Sequence, residues 1–262
     1  MSKIIVVTNQ KGGVGKTSTT SALASGLAEK GYKILAIDMD PQGNLAFCMG
    51  ADMDNCPTVY ELMKGDSAIE QVIQRKEDID IISSNILLSG AELEFNQIGR
   101  EYLLKNGIAS IRDNYDYIVI DTPPTLNILT VNAYTAADAL IIPMIPEILS
   151  LLGISQLRET IDLVKGIYNP KIEALGILLN KYDKRRHLTK DVEEMAEIIA
   201  RELHTKVFNT KIRSSVSVAE APAHALSVYK HSPRSNPTKD YRNLVEELLS
   251  QKGMIADGQK KQ

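Results

Sequence analysis

Cysteine is scarce in this chain: only Cys48 and Cys56 occur, separated by seven residues in a stretch that reads as a loop. Two thiols exclude a disulfide scaffold, and their spacing is not that of a usual zinc site, so reduced thiols in a cytoplasmic protein are expected. No apolar run approaches the roughly 20 residues that cross a bilayer, and no signal peptide precedes the first strand pattern. A soluble, internal protein is the expectation. A whole-molecule basic field is missing too, because the net charge is −3. Linkers, repeats and low-complexity segments are absent before a polar stretch at 253–262, which reads as a frayed tail. With 44% hydrophobic and 24% charged residues the composition is that of an ordinary globular protein. The 262 residues suffice for one large domain, assigned to 1–252.

What is present is a regular alternation of strand and helix patterns. It predicts a single-domain α/β fold with a mostly parallel twisted sheet and helices on both faces. Strands are expected near 3–8, 33–38, 78–83, 116–121, 138–143 and 172–179, with a weaker one near 206–210. A helix from Thr17 should stop at Gly31, and Thr58 should cap a short helix, Val59 to Lys64, ended by Gly65. The stretch from Ser89 to Asn114 reads as one or two helices, with Leu103, Leu104, Ile108 and Ile111 as core. A later amphipathic helix places Val192, Met195, Ile199 and Leu203 on one buried face, and a closing helix is read from Tyr241 to Ser250.

The most informative stretch is Gln10-Lys11-Gly12-Gly13-Val14-Gly15-Lys16-Thr17, set between the apolar run Ile4 to Val7 and the first helix. A phosphate site needs inward backbone N–H groups, a lysine for its charge and a hydroxyl for Mg²⁺; the glycines, Lys16 and Thr17 supply these, with Ser18 next in line. Two further strands end in carboxylates. Ile34 to Ile37 runs into Asp38-Met39-Asp40-Pro41-Gln42-Gly43-Asn44, and Tyr117 to Ile120 runs into Asp121-Thr122-Pro123-Pro124. Carboxylates at the carboxyl end of strands in an open α/β sheet lie at the ligand crevice, and a strand-end aspartate after a P-loop is the usual support of Mg²⁺.

With lysine at position 11 and glutamine at position 10, the loop departs from the ordinary pattern and resembles the deviant Walker A motif, K-G-G-x-G-K-[ST], of the ParA/MinD class of P-loop ATPases. The resemblance implies ATP and Mg²⁺ as cofactors and a homodimer when ATP is bound, with Lys11 reaching the nucleotide held by the partner subunit. Asp38 to Asn44 is similar to switch I of the ParA class. That likeness implies Asp40 at the Mg²⁺ and attacking-water region, although Ala46 and Phe47 replace the usual small hydroxyl residues. Asp-Thr-Pro-Pro resembles switch II. The run through Pro146-Glu147 and Gly153-Ile154-Ser155-Gln156-Leu157 is similar to a further family segment. Asn180 is placed like the asparagine that meets adenine in relatives, and Thr210-Lys211-Ile212-Arg213 resembles the family's closing region, putting Arg213 among nucleotide-binding candidates.

Charge is unevenly spread: residues 181–242 hold 13 Lys+Arg against 8 Asp+Glu, a local excess of positive charge in an acidic chain. A polyanion would meet this part. Lys184, Arg185 and Arg186 are the candidates for non-specific double-stranded DNA binding through phosphates, which needs cations but no base-reading geometry. Arg185 is placed like a DNA-contacting arginine of the family, whereas Ser214 and Ser217 stand near the places of others. His187, His204, His224 and His231 show no ligand spacing. The tail lacks the basic amphipathic helix by which MinD meets membrane, so no membrane association is expected, and the chain starts at its first strand like the short, Soj-like members. The resemblance therefore implies a cytoplasmic, nucleoid-associated ATPase for DNA segregation, released by a ParB-like partner. The alternative is a MinD-like or cargo-positioning ATPase acting on membrane or protein.

Overall fold

A computed structural model describes residues 2–76, 78–145, 154–183, 189–251 and 253–254. Seven strands form one sheet: β1 (Lys3–Val7), β2 (Ile34–Asp38), β3 (Ile73–Arg75), β4 (Asp80–Ile82), β5 (Tyr117–Asp121), β6 (Ala139–Met144) and β7 (Glu173–Leu179). Their spatial order is β3-β4-β2-β5-β1-β6-β7. Every pairing is parallel except the antiparallel edge β3 with β4. The helices are α1 (Lys16–Glu29), α2 (Asn44–Cys48), α3 (Val59–Lys64), α4 (Ile69–Val72), α5 (Ala91–Glu94), α6 (Leu103–Gly107), α7 (Ile128–Ala136), α8 (Ile154–Ile167), α9 (Thr189–Glu202), α10 (Val216–Glu220), α11 (Val228–His231) and α12 (Asn236–Leu249).

Alternate residues of the central strands feed two cores. Ile4, Val6, Ile118, Ile120, Leu140 and Ile142 face one layer, in which α3, α6, α7, α8 and α9 bury residues. Ile5, Val7, Tyr117, Val119 and Ile141 face the other, built on α1 and α12. Strands buried on both faces need near-continuous apolar runs, which is why these segments were legible as strands. Between β5 and β6, which flank β1, the chain crosses from one side of β1 to the other. That reversal opens a crevice at the carboxyl end of β1, where a ligand site is expected in this architecture.

Local signals account for several boundaries. Thr58 and Glu61 form a capping box at α3, and Gly65 closes that helix in the left-handed region. Four expectations need correction. Val207 makes only an isolated bridge to Ile177, so 206–210 is no strand; Phe208 instead lies over Gly176, where a side chain would collide with its ring. The span 89–114 is broken into short helical turns rather than one or two helices, with Gly90, Gly99 and Gly107 at the breaks. Cys48 is not in a loop but ends α2, where burial pushes its thiol up to about 11. The closing helix begins at Asn236, one full turn ahead of Tyr241, because Ser235 caps it by accepting from the Thr238 N–H. Leu104, Ile108, Ile111, Val192, Ile199 and Leu203 are buried as expected. Pro146, Glu147 and Gly153 lie outside the described residues. Met254 is buried, its carbonyl accepting from the Tyr117 hydroxyl at 2.6 Å. No described helix is long and apolar enough to cross a membrane.

Candidate active site

The phosphate loop leaves β1 at Thr8 and enters α1 at Lys16. Gly13 and Gly15 take φ values of 73° and 91°, the region that glycine enters without penalty and that lets successive amides turn inward. Asn9 pins the loop at its start: its Nδ2 donates to Pro143 O at 2.7 Å and its Oδ1 accepts from the Lys11 N–H at 2.9 Å. A cavity of about 510 Å³ opens over the loop. Of the candidate residues, Gly12, Gly13, Val14, Gly15, Lys16, Thr17, Ser18, Asp40, Asn180 and Arg213 line it. Lys11 is not in that wall, and Asp121 sits behind it, fully buried.

Two carboxylates meet at the strand ends. Asp38 and Asp121 are register partners on β2 and β5, and both are wholly buried. Asp121 accepts from Thr17 Oγ1 at 2.6 Å and from Thr20 Oγ1 at 3.1 Å. Burial, its largest influence, pushes Asp121 up to about 7, against the opposing pull of those hydroxyls and of Lys16. Asp38 holds the turn that follows β2: its oxygens accept from the N–H groups of Asp40, Leu45 and Ala46 at 2.9–3.0 Å, which stabilises the N-terminus of α2. Burial, followed by the charge of Asp121, pushes Asp38 well above the usual carboxylate range. Asp40 therefore remains the carboxylate of this turn that faces the cavity, its backbone carbonyl accepting from Ser84 Oγ at 2.6 Å.

Lys16 is buried, and its ammonium donates to the Lys11 carbonyl at 3.3 Å. Burial lowers it below the ordinary lysine range, and Asp121 and Asp40 pull it back up. Asn180, just past β7, donates Nδ2 to Val14 O at 2.9 Å and to Thr19 Oγ1 at 3.1 Å. Its Oδ1 is buried with no hydrogen-bond partner among the described residues. Arg213 is held by Asp240 through Nε and Nη2, at 2.9 and 2.6 Å. Its guanidinium thus enters the wall already paired.

The chain is similar to known proteins over nearly its whole length. The model of an AAA domain family matches residues 2–174. The sporulation initiation inhibitor protein Soj of Bacillus subtilis is 40% identical over 256 residues, covering 95% of this chain and 99% of Soj. The chain belongs to the ParA/Soj-type family of P-loop ATPases. The chromosome partitioning protein ParA of Caulobacter vibrioides is 37% identical over 254 residues, covering 95% of this chain and 94% of that one. A crystal structure of cobyrinic acid a,c-diamide synthase from Mycobacterium smegmatis, with bound ADP and magnesium, superposes with a TM-score of 0.83 at 33% identity, covering 95% and 94% of the two chains.

This ParA/Soj-type site also holds residues that sequence reasoning missed. Thr20 lies three positions after Thr17, so a helix puts both hydroxyls on the face toward Asp121; that spacing was readable. The Asp240 clamp on Arg213 joins positions 27 residues apart and left no local signal. Ser214, Ser215, Val218 and Ala219 form a wall that only the return of the chain after β7 creates. Lys184, Arg185 and Arg186 lie outside the described residues.

Proposed function

We propose that this chain is an ATP hydrolase working as a nucleotide-dependent dimerisation switch in DNA segregation. The observation that carries the reading is the convergence at one cavity of Lys16, Asp40, Asn180 and Thr17 with Asp121 behind it. Lys16 and the loop amides would hold the β- and γ-phosphates. The Thr17 hydroxyl donates its hydrogen bond to Asp121, which leaves the hydroxyl oxygen's lone pairs for a hard cation, and the oxygen donors here are of the class Mg²⁺ takes. Mg²⁺, when bound, supplies charge neutralisation at the phosphate oxygens. Asp40 would orient the attacking water. The unpartnered Oδ1 of Asn180 suits the amino group of adenine, since its Nδ2 is already committed to the loop. Positioning and charge are most of what phosphoryl transfer asks of a protein.

Lys11, outside the cavity wall of its own chain, would reach the nucleotide of a second subunit and tie two chains together. Pairing two copies would join two sets of Lys184, Arg185 and Arg186, and linked phosphate contacts multiply affinity for non-specific DNA. A ParB-like partner would stimulate hydrolysis and release the DNA. The name of the Caulobacter relative, a chromosome partitioning protein, supports segregation, and a cytoplasmic, nucleoid-associated protein follows from the same reading. The test is DNA binding and dimerisation of the wild type and Asp40→Ala with ADP and with ATP. DNA retained only with ATP, most strongly by Asp40→Ala, and slow turnover by the isolated wild type are expected. An ATP dimer that ignores DNA would refute the DNA switch and leave a cargo of membrane or protein.

A further inference from the structure

The end of β7 meets the phosphate loop through two adjacent side chains. Asn180 Nδ2 donates to the Val14 carbonyl at 2.9 Å, and Lys181 Nζ donates to the Gly13 carbonyl at 3.1 Å. In a trans peptide the C=O and the following N–H point in opposite directions. Holding the carbonyls of Gly13 and Val14 toward β7 therefore turns the N–H groups of Val14 and Gly15 away from it. Two successive amides directed alike are the arrangement of an anion-binding nest. The left-handed glycines on either side of Val14 permit it.

The backbone of Lys181 is itself unusual. Its φ is 52°, a region that a β-carbon disfavours, so the conformation must be imposed from outside. The imposing contacts are backbone hydrogen bonds on both sides: Asn180 N–H to Met144 O at 2.7 Å, and Tyr182 N–H to Ile212 O at 2.9 Å. Ile212 N–H in turn donates to Leu179 O at 2.8 Å. The turn thus aims an exposed ammonium at the loop from the cavity wall, and strain held in place by its surroundings is characteristic of functional positions. Lys16, the other ammonium on a loop carbonyl, bonds that of Lys11 rather than Gly13.

We propose that Lys181 is a positioning residue for the phosphate loop: its ammonium holds the Gly13 carbonyl so that the Val14 amide faces the phosphate chain of a bound nucleotide. The inference rests on the nucleotide-binding reading of the cavity. It assigns to β7 a second contact with the loop, beside the asparagine.

Equilibrium binding of ATP, ADP and AMP to the full chain tests it, with Lys181→Met, Lys181→Gly and Lys181→Arg, and thermal melting as the control of folding. Loss of one charge-assisted hydrogen bond at an exposed site should weaken ADP and ATP by about three- to tenfold in Lys181→Met. AMP should change by less than twofold, because it lacks the phosphates the nest would hold, and Lys181→Arg should restore most of the affinity. Lys181→Gly relieves the backbone but removes the ammonium, so it should melt no lower than the wild type and still bind ADP weakly. Wild-type affinity in Lys181→Met, or in Lys181→Gly alone, overturns the proposal, as does an equal loss for AMP, which would put Lys181 at the base or ribose. A wild type that binds neither ADP nor ATP would instead overturn the nucleotide reading itself.

Discussion

Substituting Gly15 by alanine tests the loop and its partner on β7 together. At φ 91° a side chain is disfavoured by roughly 1–2 kcal/mol whatever the space around it. The space is also lacking, since a β-carbon there would stand 2.7 Å from Asn180 Nδ2. The amide must move away, and the bonds it makes to Val14 O and Thr19 Oγ1 go with it, each contributing about 1 kcal/mol. The expected loss is about 3–4 kcal/mol, which in a chain of this size lowers Tm by roughly 6–16 °C. Melting curves of Gly15→Ala, Asn180→Ala and the double variant measure the coupling. Because Asn180→Ala already removes the amide, the double variant should lose about 2 kcal/mol less than the two singles together. Strictly additive losses would refute the argument that Gly15 is required by the asparagine as well as by its own dihedral angle. ADP binding followed in parallel should fall in all three variants, because the same amide orients the loop.

The pH dependence of Asp121→Asn follows from the burial of that carboxyl. In the nucleotide-free protein its pKa rises to about 7 from an ordinary value of 3.8, so ionisation favours the unfolded chain across that window. Stability is therefore present at low pH and lost as pH rises toward 7. The Tm of Asp121→Asn minus that of the wild type should be larger at pH 8 than at pH 5, and a gap independent of pH would contradict the assignment. At the other face of α1, Gly26 packs against the Tyr229 hydroxyl and lies where a β-carbon would stand 2.8 Å from Val245 Cγ2. Gly26→Ala should destabilise by about 1–3 kcal/mol in chemical denaturation. Tyr229→Phe, which removes a buried hydroxyl without a hydrogen-bond partner among the described residues, should be close to neutral and should recover part of that loss in the double variant.

Local chemistry determined much of this protein. The apolar runs ending in Asp38 and Asp121, the loop from Lys11 to Thr17, and the capping box at Thr58 each act through neighbours a few residues away, so reading them in order placed β1, β2, β5, α1 and α3 and predicted the nucleotide cavity. The order of the strands, and with it the pairing of Asp38 with Asp121, depends on which edge each crossover chooses, and no local pattern carries that. Burial then separated the three carboxylates: Asp38 was drawn into the turn after β2 by three backbone amides, Asp121 went behind Thr17 and Thr20, and of the three Asp40 faced the cavity. In the same way Asn180 and Lys181 look like ordinary residues after a strand. Only the parallel placement of β7 two strands from β1 brings their donors to the Gly13 and Val14 carbonyls, because a hydrogen bond across more than 160 positions exists only once the chain has folded.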